Sequence, residues 1–153
     1  MENIQLNPIG YIQNNETESF IQLDKTYTAG LTNLDGFSHV FILWHFDQSD
    51  STQNNLVEKS PYKNAPEILG TFATRSPNRP NRIALSCVRV CHIDYQEGVI
   101  IIDYIDGSPV IDIKPYTPSL DRVNHPQVPD WCQNWPMSLE DSAYFDWNRI
   151  FNF

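Results

Sequence analysis

Four arginines, Arg75, Arg79, Arg82 and Arg89, fall within residues 74–92, a window without Asp or Glu that carries +4 in a chain of formal net charge -9, so the remainder carries -13. The first three are crowded among Pro77, Pro80, Asn78 and Asn81. Prolines fix φ and stiffen a loop. Guanidinium forks held there suit recognition of a carboxylate, a phosphate or a planar heterocycle. Arg89 lies in a strand-like run and reads as part of a solvated face. A second segment runs Ile105-Asp106-Gly107-Ser108-Pro109-Val110-Ile111-Asp112-Ile113-Lys114-Pro115-Tyr116. Asp112 and Lys114 alternate there with Ile111 and Ile113, so the two charges share one strand face while the isoleucines pack. Taken alone, Asp106-Gly107 is a turn pair.

Other chemistries find little support. Cys87, Cys91 and His92 invite a metal, but in a strand the two thiols stand about 13 Å apart at ~3.3 Å per residue, too far for one zinc. No metal site is expected, and the cysteines are expected to be buried, reduced core residues. There is no Gly-x-Ser-x-Gly elbow for acyl transfer and no glycine-rich phosphate loop after a strand. His39, His45, His92 and His125 have no partners in sequence that mark them as catalysts.

The elements that position these segments are mainly strands. With 153 residues, 41% hydrophobic, 11 Pro and only 6 Gly, the chain is the size and composition of one ordinary globular domain. Short β-branched and aromatic runs at 4–11, 20–23, 39–46, 69–73, 83–93, 98–105 and 110–113 are separated by Pro, Asn, Asp and Gly. Val40-Phe41-Ile42-Leu43-Trp44 is apolar throughout, which suits a strand covered on both faces. From Ile83, one face carries Ile83, Leu85, Cys87, Arg89 and Cys91, and the other Ala84, Ser86, Val88, Val90 and His92. Tyr95-Gln96-Glu97-Gly98 reads as the turn of a hairpin. Spacings this short leave no room for repeated crossover helices. The expected fold is therefore mainly β, a small closed antiparallel barrel with a few short helices. A C-terminal helix is expected with Ser138 as N-cap and Leu139, Ala143, Trp147, Ile150 and Phe151 on one face. Residues 49–66, polar and proline-punctuated, read as a long mobile loop.

The N-terminus has neither the basic start nor the apolar run of a signal peptide, and no stretch of about 18 apolar residues occurs, so a cytoplasmic protein without a membrane partner is expected. An acidic balance of this size disfavours DNA and anionic surfaces in general.

Leu34-Asp35-Gly36-Phe37-Ser38-His39, the run from Phe72 through Asn81 (Phe-Ala-Thr-Arg-Ser-Pro-Asn-Arg-Pro-Asn) and the string from Asp106 to Tyr116 together resemble the TsaA-like, or TrmO-type, S-adenosylmethionine-dependent methyltransferases. The likeness extends from Pro8 to about Asp121, implying one domain over 1–153 with a core at 8–121 and a C-terminal extension at 122–153. It also implies a small β-barrel, usually a homodimer, that binds S-adenosyl-L-methionine and methylates N6 of threonylcarbamoyladenosine beside a tRNA anticodon. Carried over by position, it gives Asp47, Gln48, Arg79, Leu85, Asp106, Gly107 and Ser108 as cofactor contacts. Asp112, Lys114 and Tyr116 become candidates for the catalytic centre, and Arg75 and Arg82 for acceptor binding. The chain departs from the family in several places, among them Ser108 for a threonine. Its stretch between Tyr11 and Phe20 lacks a basic Pro-Arg-Gln segment. Asp47-Gln48 stands for His-Gln, and Arg82-Ile83-Ala84 for Pro-Ile-Gly. Two alternatives stay open: a small-molecule or other RNA acceptor, and a cofactor-binding or interaction module without catalysis.

Overall fold

The computed structural model describes residues 4–48, 56–103, 105 and 108–153. The chain divides into two compact units, one from residues 1–53 and 77–122, the other from 54–76 and 123–153. Among the described residues the strands are β1 (Gly10–Asn14), β2 (Ser19–Leu23), β3 (His39–His45), β4 (Val57–Lys59), β5 (Ile68–Gly70), β6 (Ile83–Asp94), β7 (Val99–Ile102) and β8 (Pro109–Pro115).

In the first unit six strands close an antiparallel barrel in the order β1-β2-β7-β6-β3-β8. The mainly β, closed-barrel reading holds. Closure removes the unpaired edges a small sheet would otherwise present. Period-2 alternation fills the interior: Ile21, Val40, Ile42, Ile100 and Val110 are fully buried. At Gly10, where β1 crosses β2, a Cβ would run into the Gln22 backbone, so the close approach itself requires glycine.

The hairpin between β6 and β7 forms as its sequence requires. Asp94 Oδ1 accepts the N–H groups of Gln96 and Glu97, both at 2.9 Å, and Gly98 adopts φ +70° and donates to Asp94 O at 2.9 Å. The face assignment in β6 holds through Val90. A register shift between Val90 and His92 then turns the exposed His92 outward and Ile93 into the core.

Several expectations are corrected. Residues 4–9 are not strand; β1 starts only at Gly10, after Pro8, which has no N–H to donate. On β3 only Val40 and Ile42 are buried, while Phe41 and Leu43 on the outer face are half-covered. The segment 69–73 is strand only to Gly70, then closes a 3-10 turn over Thr71–Ala73. The run 98–105 is strand only to Ile102, where Asp103 folds back and its Oδ2 accepts Arg89 N at 3.2 Å. Cys91 is exposed and Cys87 only half-buried on the outer face, so they are not core residues, although no disulfide joins the cysteines.

The second unit holds the antiparallel pair β4-β5 and an aromatic cluster. Of the expected loop at 49–66, residues 49–55 lie outside the described residues, and the rest is ordered structure containing β4. Tyr62 stacks on Trp131 at 5.3 Å, Trp135 packs against both Trp131 and Trp147, and Trp147 against Phe151. Ser138 does cap α2 (Leu139–Ala143), its Oγ accepting Asp141 N at 3.1 Å; α2 follows the single turn α1 (Pro118–Asp121). The long C-terminal helix does not form. It stops at Ala143, and the Trp147 indole donates back to Ser142 O at 3.1 Å, turning the chain into the cluster. Packing of the aromatic rings overrides the 3.6-residue pattern. Among the described residues no helix is long and apolar enough to cross a membrane.

Candidate functional site

In the first unit one mouth of the barrel gathers the end of β3 and the beginnings of β6 and β8. The turn before β6 is tightly folded. Arg79 N donates to Pro77 O at 2.9 Å and Arg82 N to Arg79 O at 3.3 Å. Arg82 is left-handed at φ +44°, a conformation that costs a non-glycine residue energy and tends to persist where surrounding structure and function demand it. Arg82 O in turn accepts Phe46 N at 3.0 Å, which lays the arginine turn beside Asp47 and Gln48, both exposed. Just ahead of β8 the buried Ser108 presents its hydroxyl to Asp47 Oδ1 at 3.4 Å, and its carbonyl accepts Ile12 N at 3.0 Å.

A cavity of about 500 Å³ opens at this mouth. Ile4, Leu6, Ile83 and Ile111 supply apolar walls, and His45, Asn81 and Arg82 the polar groups. Apolar walls with few convergent polar groups are the usual composition of a small-molecule site. Sequence reasoning passed over His45 and the N-terminal wall. The signal for His45 was available, since period 2 from Phe41 and Leu43 puts it on the outer face; Ile4 and Leu6 come into place only through the course of the chain ahead of β1.

The remaining candidates spread along the barrel exterior. Cross-strand register sets Leu85 on β6 opposite Leu43, and Leu43 opposite Asp112 on β8; one step along, Cys87, Phe41 and Lys114 form the next row. Leu85 is 45% exposed. Asp112 Oδ2 pairs with Lys114 Nζ at 2.6 Å, and its Oδ1 accepts Ile113 N at 2.9 Å. The Tyr116 ring meets the edge of Phe41, centroids 5.7 Å apart, and Tyr116 N donates to His39 O at 3.0 Å. Tyr116 lies eight positions beyond Ser108, roughly 26 Å along an extended strand. Asp47, Arg82 and Ser108 are thus brought together with Arg79, whereas Lys114 and Tyr116 lie toward the other end of β8. Asp106 and Gly107 lie outside the described residues, and Arg75 belongs to the second unit.

Among the described residues no cluster of three or more His, Cys, Asp or Glu can hold a metal. Burial pushes the Cys132 thiol up, the opposite of what activates a thiolate nucleophile.

The family profile described as "tRNA-methyltransferase O N-terminal domain" matches residues 3–122. An S-adenosyl-L-methionine-binding protein of Archaeoglobus fulgidus is 36% identical over 107 residues, 69% of this chain and 74% of that protein. The tRNA (adenine(37)-N6)-methyltransferase of Escherichia coli is 41% identical over 93 residues, 56% of this chain and 38% of the enzyme. A crystal structure of TrmO superposes with a TM-score of 0.65 at 30% identity, covering 83% of this chain and 64% of that one.

Proposed function

The chain belongs to the tRNA-methyltransferase O N-terminal domain family, and from that premise we propose that it is an S-adenosylmethionine-dependent methyltransferase acting on N6 of threonylcarbamoyladenosine beside a tRNA anticodon. The observation that supports this most directly is the meeting of Asp47, Ser108 and the 79–82 turn beside an apolar-walled cavity. These groups fit the cofactor's chemistry. A carboxylate suits its cationic end, a guanidinium its amino-acid carboxylate, and apolar walls its adenine. When bound, S-adenosylmethionine supplies an electrophilic methyl group on a sulfonium.

The chain's own work is then alignment, which by itself accounts for a large share of the rate in such transfers. In this reading Arg79 and Asp47 hold the charged ends of the cofactor, with Gln48, Leu85, Asp106, Gly107 and Ser108 completing its contacts. Asp112 receives the proton of the acceptor nitrogen, and Lys114 fixes the Asp112 carboxylate through the 2.6 Å pair. Arg75 and Arg82 contact the RNA backbone. Arg75 and Arg82 can each take a phosphate, while the acidic balance of the chain, net -9, keeps affinity for bulk RNA weak and salt-dependent. Selectivity then comes from fitting a splayed-out modified base, the usual mode for single-stranded RNA loops.

The test is mass spectrometry of tRNA nucleosides from cells with and without the gene. Loss of the methylated threonylcarbamoyladenosine on deletion is expected. An unchanged level, in a host without a second such enzyme, overturns the acceptor assignment in favour of a small molecule or another RNA.

A further inference from the structure

We infer that Glu58 is a positioning residue that sets the attitude of Arg75 toward the RNA, an inference that rests on the reading of Arg75 as an RNA contact. All the groups involved lie in the second unit. Glu58 is the central residue of β4, paired in register with Leu69, and its side chain is half-buried. Its two carboxylate oxygens are divided between two hydroxyls: Thr74 Oγ1 donates to Oε1 at 2.9 Å and Ser76 Oγ donates to Oε2 at 3.1 Å. The residue between those two hydroxyls is Arg75.

The bracket is braced further. Thr74 N donates to Thr71 O at 3.1 Å, closing the 3-10 turn, Thr74 Oγ1 also lies 3.0 Å from Thr71 O, and Ser76 N donates to Thr74 Oγ1 at 3.3 Å. Arg75 is itself exposed and, among the described residues, forms no ion pair. Glu58 therefore acts on the loop through its hydroxyls and leaves the guanidinium to solvent.

A carboxylate is the side chain suited to this task. It offers two acceptor oxygens and no donor, so it can take both hydroxyls at once, and hydrogen bonds to an ionised acceptor are the stronger kind. An amide in its place offers one acceptor oxygen and one donor nitrogen, so one of the two hydroxyls would have to accept rather than donate. Fixing the backbone on both sides of Arg75 before binding removes ordering entropy that the complex would otherwise have to overcome. The expected signature is a change in RNA affinity without a change in cofactor affinity.

A double-mutant cycle on the full chain tests this. Wild type, Glu58→Ala, Arg75→Ala and the double variant are compared for KM and kcat on a tRNA carrying threonylcarbamoyladenosine, for cofactor affinity and for thermal midpoint. Loss of one charge-assisted contact in Arg75→Ala is expected to raise KM about tenfold. Glu58→Ala is expected to raise KM severalfold in the wild-type background and not at all once Arg75 is absent, the non-additivity of residues acting through one another. Cofactor affinity should stay constant. Glu58→Gln, which keeps one acceptor, should recover part of the loss, and it serves as the second variant if alanine impairs folding. Equal effects of Glu58→Ala in both backgrounds, or no effect in either, overturn the inference while the proposed function stands. If Arg75→Ala leaves KM unchanged in an active enzyme, the Arg75 assignment and this inference fall together. If the wild type does not turn over tRNA, the proposed acceptor falls, and the inference with it.

Discussion

The Ser108 hydroxyl donates to Asp47 Oδ1 at 3.4 Å, joining segments 61 positions apart, the residues just beyond β3 and just ahead of β8. Neither residue touches the other in sequence, yet both were expected at one cofactor site. Asp47→Asn, which keeps an acceptor but removes the charge, should weaken S-adenosylmethionine binding about tenfold, and Ser108→Ala by less, as the loss of a charge-assisted rather than a neutral partner predicts. Titration calorimetry reads both; unchanged affinity in the two variants removes this contact from the site.

Arg79 and Arg89 have the same charge and different surroundings. Arg79 sits in the folded turn, whereas Arg89 is 62% exposed on the barrel exterior, where it pairs with Asp103 at 3.5 Å. Exposed pairs of this kind contribute little. Arg79→Ala should therefore cost one to two decades in cofactor affinity, about 1.5 to 3 kcal/mol, and Arg89→Ala almost none. Equal losses contradict the assignment of Arg79.

A homodimer, implied by the family resemblance, is proposed. The C-terminal stripe of Trp147 and Phe151 packs inside the second unit, against Trp135 and Tyr62, and so does not itself call for a partner. The outer rows of β3, β6 and β8, where Leu43, Phe41 and the 45% exposed Leu85 flank the Asp112–Lys114 pair, are the face proposed to meet a second copy. Light scattering at micromolar concentration should give twice the monomer mass, and Leu85→Lys should halve it; a monomeric wild type refutes the proposal.

Away from the site, Tyr95 clasps the turn ahead of β3: its hydroxyl donates to Asp35 Oδ1 at 2.7 Å and accepts Asp35 N at 3.3 Å. Donation to the carboxylate raises the Tyr95 pKa above its ordinary 10.0. Raised in the native state, this group contributes stability that is complete below the ordinary tyrosine pKa and is lost as pH climbs through the native one. Tyr95→Phe should accordingly lower Tm at pH 8, with the difference from wild type shrinking under strongly alkaline conditions. A difference independent of pH would show that the hydroxyl proton plays no part.

Much of this protein was legible before folding because its signals are local. Alternation along 83–93 marked Val88 as inward and Arg89 as outward, a pattern set by strand geometry alone. Tyr95-Gln96-Glu97-Gly98 announced its turn, which Asp94 closes by accepting the amides two and three residues on and Gly98 by adopting positive φ. Ser138 marked its N-cap for the same reason. The motif strings around Arg79 and Asp112 were likewise visible as chemistry.

Tertiary structure decided what depends on distant partners. The bulge that turns His92 outward arises from the pairing of β6 with β7, and nothing within β6 alone announces it. The aromatic residues after Ala143 carry a helical period, yet their rings gain more by packing on Tyr62 and Trp135 than the short helix gains by one further turn, so the helix ends. The same holds for the site. Sequence determined which residues bear charge and on which strand face they stand, whereas only closure of the barrel, which sets β3 between β6 and β8, determined that Asp47 meets Ser108 and the Arg82 turn while Tyr116 lies far along β8.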